Sequence, residues 1–369
     1  MIVTSKIKSK TTTPSITDWF KLIDIRRSDI ILLEDGNKYC RLKILNDIIN
    51  LPYTPASKLS IEDLLEKTDR LKSIQRKFKN TECVLRLVPS DNSLTKIRKK
   101  GGLLENNLKW FYKQNIEDPN YRVEVIPRCP NVKWSAIFIV DENAIWGEIV
   151  KGGISQLVKG RHKNKPTVFS YNYKRWHFSK VNHADEEEVL KKAIKKIKID
   201  NKIDKNKLKQ KLNSSFTHDV YIRGYFEFTF WPKEGVKFID YNRQQAKMFK
   251  GFDVWDSIKR KGQELKGTCA NEGIAEGKIK IIKDPKKATE FKNGDILVCK
   301  MIDINYLPLI KKSSAIITEE GNILCHAALI SRELNKPCII QVKNITKKLK
   351  NGSRVSLNAK WGEIKLLNT

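Results

Sequence analysis

The stretch TEEGNILCHAALISRELNKPCII, residues 318 to 340, sets a Gly-Asn pair ahead of His326 and then an apolar-periodic run reaching Pro337. A glycine-bearing turn that opens a helix leaves the first backbone N–H groups without intrahelical partners, and with the helix dipole these favour a bound phosphate. An unperturbed imidazole titrates near pH ~6.5, so at neutral pH most of it is uncharged and able to attack phosphorus. Taken alone, a histidine at a helix start is more often structural than nucleophilic.

A second constellation lies in FEFTFWPKEGVKFIDYNR, residues 226 to 243, where Glu227 is followed by Asp240 and Asn242. On adjacent antiparallel strands this spacing brings oxygen ligands to one point, as magnesium requires. The plainer alternative is a hairpin with solvent-facing carboxylates. His162, His177, His183 and His218 show no metal-ligand spacing. The aromatics of FSYNYKRWH could stack a base, but packing is the simpler role.

The elements that must position these residues are legible as runs. Residues 1 to 245 mix helical stretches (IEDLLEKTDRLKSIQRKF, EEEVLKKAIKKIKI) with apolar β-rich ones (ECVLRLV, WSAIFIV, YIRGYFEFTF, VKFIDY). Residues 246 to 266 carry charge and glycine with little periodicity and read as a connector. From Gly267 short strands punctuated by glycine (GIAEGKIKII, GDILVCK, SAIIT, CIIQV, GSRVSLN, GEIKLL) and a helix at 325 to 335 predict a compact domain through residue 369. The expected fold class is α/β and α+β.

The 369-residue chain has room for more than one core and a formal charge of +30, which favours an anionic partner. Nucleic acid is one such partner, although no helix-turn-helix, zinc-finger or RNA-recognition signature accompanies the charge. The cysteines Cys40, Cys83, Cys129, Cys269, Cys299, Cys325 and Cys338 never form Cys-x-x-Cys, which predicts reduced thiols in a cytoplasmic protein. The start has no signal-peptide core, and no apolar run approaches the roughly eighteen residues of a membrane span.

Four segments in order, Gly273 to Gly277, Gly294 to Val298, Thr318 to Ala328, and Arg332-Glu333-Leu334 with Pro337, resemble the swivelling phosphohistidine domain shared by phosphoenolpyruvate synthase, pyruvate phosphate dikinase and rifampicin phosphotransferase. The resemblance implies that His326 is phosphorylated, with Gly321, Cys325 and Arg332 in its catalytic site. Asn322 stands where that family has a second glycine, and Leu324 where it has a threonine.

Upstream, DGNKYCRLKILNDIINLPYTP resembles the opening of an ATP-grasp domain and implies that Lys38 contacts ATP phosphates. ECVLRLVPSD resembles a strand that aims Arg86 at the phosphates, with Leu87 and Val88 in place of two serines. Residues 123 to 160 resemble the adenine hinge, at Glu124, and the nucleotide-covering segment, at Glu148. Glu227, Asp240 and Asn242 match the metal-binding acids of ATP-grasp enzymes, and Arg243 stands one place beyond the dikinase arginine.

The implied architecture is a divergent ATP-grasp domain at 1–245 with two lobes meeting near residue 120, a hinge at 246–266, and a swivelling β/β/α phosphohistidine domain at 267–369. The implied function is an ATP- and Mg²⁺-dependent dikinase-type phosphotransferase that forms a phosphohistidine at His326, releases AMP and phosphate, and passes the phosphoryl group to an unidentified acceptor. No segment resembles the pyruvate-binding barrel, so the acceptor binds at the domain interface, on the N-terminal region or on a separate subunit. The alternative is a catalytically decayed dikinase homologue whose basic surface binds nucleic acid or a protein partner.

Overall fold

The computed structural model describes residues 16–23, 28–90, 94, 97–128, 131–160, 163–255 and 265–367. Cys129, His162 and the connector residues 256–264 lie outside them. The chain divides into two compact units, Met1–Lys43 with Pro52–Asn131, and Ile44–Leu51 with Val132–Thr369. This division falls at Asn131, beside the lobe boundary expected near 120, and residues 132–245 and 267–369 both lie in the second unit.

In the first unit an antiparallel sheet runs in the order Ser57–Ser60, Tyr121–Pro127, Glu82–Pro89, Ile97–Leu103. Alternation along Glu82–Pro89 sends Cys83, Leu85 and Leu87 into a core with Leu59, Phe111, Val123 and Val125. The helix expected over 61–78 is instead two, Ile61–Leu65 and Asp69–Lys77, with Lys67 between them at φ 54°. A capping box starts the first helix: Ser60 Oγ accepts from Asp63 N, and Ser60 N donates to Asp63 Oδ2.

The second unit contains a six-stranded antiparallel sheet in the order Gly235–Asn242, Gly224–Trp231, Trp134–Val140, Ile145–Lys151, Thr167–Tyr171, Trp176–Phe178. WSAIFIV is buried at every position, as its apolar run requires of an inner strand. Helices Ala184–Lys195 and Lys202–Leu212 follow in the chain, the first burying Val189, Leu190, Ala193 and Ile194 and leaving its lysines wet.

Residues 268–366 form a seven-stranded sheet in the order Thr268–Asn271, Cys338–Ile340, Ala315–Thr318, Ile296–Cys299, Ile274–Ile281, Arg354–Asn358, Glu363–Leu366. The pairs joining Ile274–Ile281, Ile296–Cys299, Ala315–Thr318 and Cys338–Ile340 are parallel, and the outer pairs are antiparallel. The inner runs ILVC, AIIT and CII are wholly buried, the signature of parallel strands covered on both faces. Helices Leu307–Lys312 and His326–Glu333 are their crossovers.

The stretch expected to open the connector is anchored. Helix Arg243–Lys247 leads to Phe249, 2% exposed, and Trp255 donates its indole N–H to Ser170 Oγ at 2.6 Å. Among the described residues no helix is long and apolar enough to cross a membrane.

Candidate functional site

His326 is the first residue of helix His326–Glu333 and follows a parallel strand, Ala315–Thr318, at its carboxyl end, the edge where open parallel sheets bind ligands. Cys325 is the N-cap: its backbone is extended, its carbonyl accepts from Leu329 N at 3.1 Å, and its side chain makes no capping bond. Burial raises the Cys325 thiol pKa and keeps the group neutral. Cys325, expected in the catalytic site, thus stands directly before His326 with a buried, neutral thiol. Gly321 sits at φ 143°, and a Cβ there would meet Ile340 Cγ2 at 3.2 Å.

The four residues before Cys325 are held by the six-stranded half of the unit. Glu148, on strand Ile145–Lys151, accepts from Ile323 N at 3.4 Å on Oε1 and from Leu324 N at 3.2 Å on Oε2. Asn322 is fully buried and donates Nδ2 to Gln156 O at 3.2 Å and Leu157 O at 3.1 Å, carbonyls of helix Ser155–Lys159. That helix ends at Gly160, φ 71°, where a Cβ would stand 2.9 Å from Gly321 Cα. Glu148, expected to cover a nucleotide, thus has its carboxylate engaged by the His326 loop. Leu324 contributes its N–H while its side chain is buried.

Arg332 completes the attachment. Its guanidinium lies over Phe249 at 4.2 Å and Phe252 at 4.6 Å, and Nη1 donates to Ile323 O at 3.0 Å. Trp146 backs the two phenylalanines at 5.7 and 5.4 Å. Burial lowers the Arg332 pKa to about 10, with Cys269, Cys338, Cys325 and Glu148 pulling the other way, so it stays charged at neutral pH. Burial likewise raises Glu148 to about 7, against the two N–H bonds and Arg332.

The register then relates Glu148 to the acidic pair. Asp240 is opposite Glu227, Glu227 opposite Ile137, and Ile137 opposite Glu148. Residues opposite one another share a face, so Asp240, Glu227 and Glu148 stand in one row. Neighbouring strands are about 4.8 Å apart, which puts Glu148 roughly 10 Å along the row from Glu227. Tyr225 Oη donates to Glu227 Oε1 at 2.7 Å and orients that carboxylate.

Two residues expected beside this pair are engaged elsewhere. Asn242 Oδ1 accepts from Gln244 N at 3.0 Å and Gln245 N at 2.8 Å, capping helix Arg243–Lys247. With both lone pairs taken, Asn242 is a helix cap where a metal ligand was expected. Arg243 donates through Nη1 to Leu212 O, at the end of helix Lys202–Leu212, where a phosphate contact was expected. Two carboxylates remain for a cation, and among the described residues no group of three or more His, Cys, Asp or Glu is arranged to hold one unaided.

In the first unit, Lys38 opens helix Lys38–Ile49. Arg86 and Glu124 are cross-strand partners, 3.7 Å between Nε and Oε2, and Arg122 reaches Glu124 Oε1 at 3.1 Å. Burial works against the Arg86 charge, but Tyr39, Glu124 and Asp35 outweigh it and raise its pKa. Glu124, expected at an adenine hinge, is 1% exposed and serves as the counterion of two arginines.

Sequence reasoning missed the holding role of Asn322, Gly160, Phe249 and Phe252. The available signals were two apolar aromatics three apart inside the supposed connector and a polar residue where the family has glycine. A cleft of about 540 Å³ includes Lys151, Lys163, Lys165 and Lys180. Its Ile149 and Thr167 are one residue along from Glu148 and Val168, so it opens on the opposite face of the sheet.

Residues 291–362 match the family described as PEP-utilising enzyme, mobile domain. The chain is 43% identical over 102 residues to a probable phosphoenolpyruvate synthase of Staphylothermus marinus, covering 27% of this chain and 12% of that one. It is 42% identical over 98 residues to phosphoenolpyruvate synthase of Pyrococcus furiosus, with the same coverage, 27% and 12%. An uncharacterized phosphotransferase, YvkC, of Bacillus subtilis is 36% identical over 115 residues, 31% of this chain and 14% of that one. The matched segment thus spans between 12% and 14% of these three relatives' length. The part of the chain that carries His326 is accordingly similar to the PEP-utilising enzyme mobile domain and to that segment of proteins named phosphoenolpyruvate synthase.

Proposed function

We propose that the chain is an ATP-dependent, dikinase-type phosphotransferase in which His326 is the phosphoryl carrier. The observation that carries this reading is the row Asp240, Glu227, Glu148: the loop that begins the His326 helix is hydrogen-bonded to the same sheet face that bears the acidic pair. A carrier histidine docked beside paired carboxylates is the arrangement a nucleotide-loaded phosphohistidine needs, since it divides one difficult transfer into two.

Glu227 and Asp240 suit magnesium, which binds through one or two carboxylates together with substrate phosphates. Bound there, the ion would neutralise polyphosphate charge and leave phosphorus open to in-line attack. By resemblance the His326 ring nitrogen attacks the β-phosphorus, forming the N–P bond as the bond to the α-phosphate's bridging oxygen breaks and AMP leaves. Water then cleaves the γ-phosphate from the resulting pyrophosphohistidine as inorganic phosphate, and the β-phosphoryl stays on the histidine. The positive end of the helix His326–Glu333 dipole favours the new anion, and Tyr225 holds the Glu227 carboxylate in place. Lys38 and Arg86 keep the phosphate-binding role that resemblance gives them. The acceptor is anionic in this reading, in keeping with the +30 charge.

The test is incubation with ATP labelled at the β- or γ-phosphate, followed by acid and base treatment of the protein. Base-stable, acid-labile β-label that is lost in His326→Ala is the expected result. Absence of any label on the native chain in the presence of magnesium would overturn the reading. Steeply salt-dependent RNA or DNA binding that His326→Ala leaves unchanged would then favour the nucleic-acid alternative.

A further inference from the structure

We propose that Asn322 and Glu148 are positioning residues: they dock the loop that precedes His326 against the six-stranded sheet, and so set how fast His326 is loaded without themselves touching the nucleotide. This deepens, and rests on, the carrier role of His326.

Asn322 caps a helix other than its own. The last carbonyls of any helix lack intrahelical partners, and Nδ2 of Asn322 reaches two carbonyls of helix Ser155–Lys159, Gln156 O and Leu157 O. Glycine at position 322 has no side chain to do this. Immediately beside it, Gly160 and Gly321 approach so closely that a single added Cβ would collide with the facing backbone. One residue further on, Glu148 takes the backbone N–H groups of Ile323 and Leu324, one on each carboxylate oxygen.

These contacts converge on residues 321–324, directly before Cys325 and His326, and they fix the loop chiefly through its backbone and one amide. A hydrogen bond exchanged for water contributes only about 1 kcal/mol net, so such an attachment holds a domain in register yet lets it leave. Asn322 Oδ1 and Arg332 Nη2 are buried without a hydrogen-bond partner in the docked arrangement, and both gain water when it opens. The docked state is thereby balanced against release, which a carrier that serves two sites requires.

The experiment uses the full chain with Asn322→Gly and, independently, Glu148→Gln, each checked for folding by its thermal unfolding midpoint. Amide hydrogen exchange over residues 321–325, measured without nucleotide, should quicken about tenfold in either variant, the factor expected for losing roughly 1.4 kcal/mol of attachment. Single-turnover labelling from ATP at saturation should slow by a similar factor while the half-saturating ATP concentration stays unchanged. A general structural lesion would move both kinetic quantities and the melting midpoint. Native exchange and native labelling rates in folded variants would overturn the proposal. If the native chain takes up no label, the carrier reading fails, and the exchange measurement still decides whether Asn322 and Glu148 dock the loop.

Discussion

Glu148→Gln should erase a pH dependence that the native chain carries. Burial raises the Glu148 carboxyl from an ordinary value of 4.5 to about 7, and the N–H bonds from Leu324 and Ile323 and the charge of Arg332 reduce that shift without cancelling it. The other group facing it from the loop, the Cys325 thiol, is kept neutral by its own burial. A carboxyl whose folded pKa lies above its unfolded value stabilises the fold through its protonated form. That contribution is complete below the unfolded value and is lost as pH rises through the folded one. With 4.5 and about 7 as the two values, the folded-to-unfolded ratio falls about tenfold between pH ~6 and pH ~8, or roughly 1.4 kcal/mol. Glutamine does not titrate and forfeits one acceptor oxygen, so the variant should show a constant offset in place of that slope. Urea unfolding of both chains at several pH values, followed by tryptophan fluorescence, reads the difference directly. Parallel pH profiles for the native chain and Glu148→Gln would refute a buried carboxylate at this contact.

Further outcomes follow from individual contacts. Gly160→Ala combines a left-handed backbone with a Cβ 2.9 Å from Gly321 Cα, and should cost about 1–3 kcal/mol in urea unfolding. Arg332→Leu removes a buried guanidinium from above Phe249 and Phe252 and its bond to Ile323 O; a loss of about 3 kcal/mol, little changed by added salt, is expected by the same measurement. Asp240→Asn should raise the magnesium concentration needed for ATP-dependent labelling while leaving the fold intact by circular dichroism. Mass-mapped alkylation near neutral pH should modify exposed Cys40 at once and leave Cys83, Cys269 and Cys338 untouched until unfolding, since burial raises their thiols to about 11, 12 and 12.

The local elements were legible because their causes are local. WSAIFIV, ILVC and AIIT are apolar at every position and became inner strands, and the spacing of Glu227 and Asp240 did place them opposite each other across a hairpin. The order of glycine, apolar and His-containing segments after residue 267 was enough to anticipate a helix at 325–335, found as His326–Glu333. Where a residue has several partners open to it, local pattern is silent. Asn242 and Arg243 have the types of a metal ligand and a phosphate ligand, yet one caps the helix that starts beside it and the other closes on the Leu212 carbonyl. Residues 246–266 looked like a tether because they carry charge and glycine with little periodicity, while the buried Phe249 acts only once Trp146 and Arg332 arrive.

By itself, then, the amino-acid order determined the main apolar strands, which of them lie fully buried, and that a histidine stands at the start of a helix beside a phosphate-friendly turn. The tertiary structure alone decided that Glu148 answers the His326 loop from 175 and 176 residues away and that Asn322 caps a helix 165 residues before it. Hydrophobic periodicity reports the face an element buries, whereas a hydrogen bond across packed elements depends on which faces meet, a choice made by the summed burial of the whole unit.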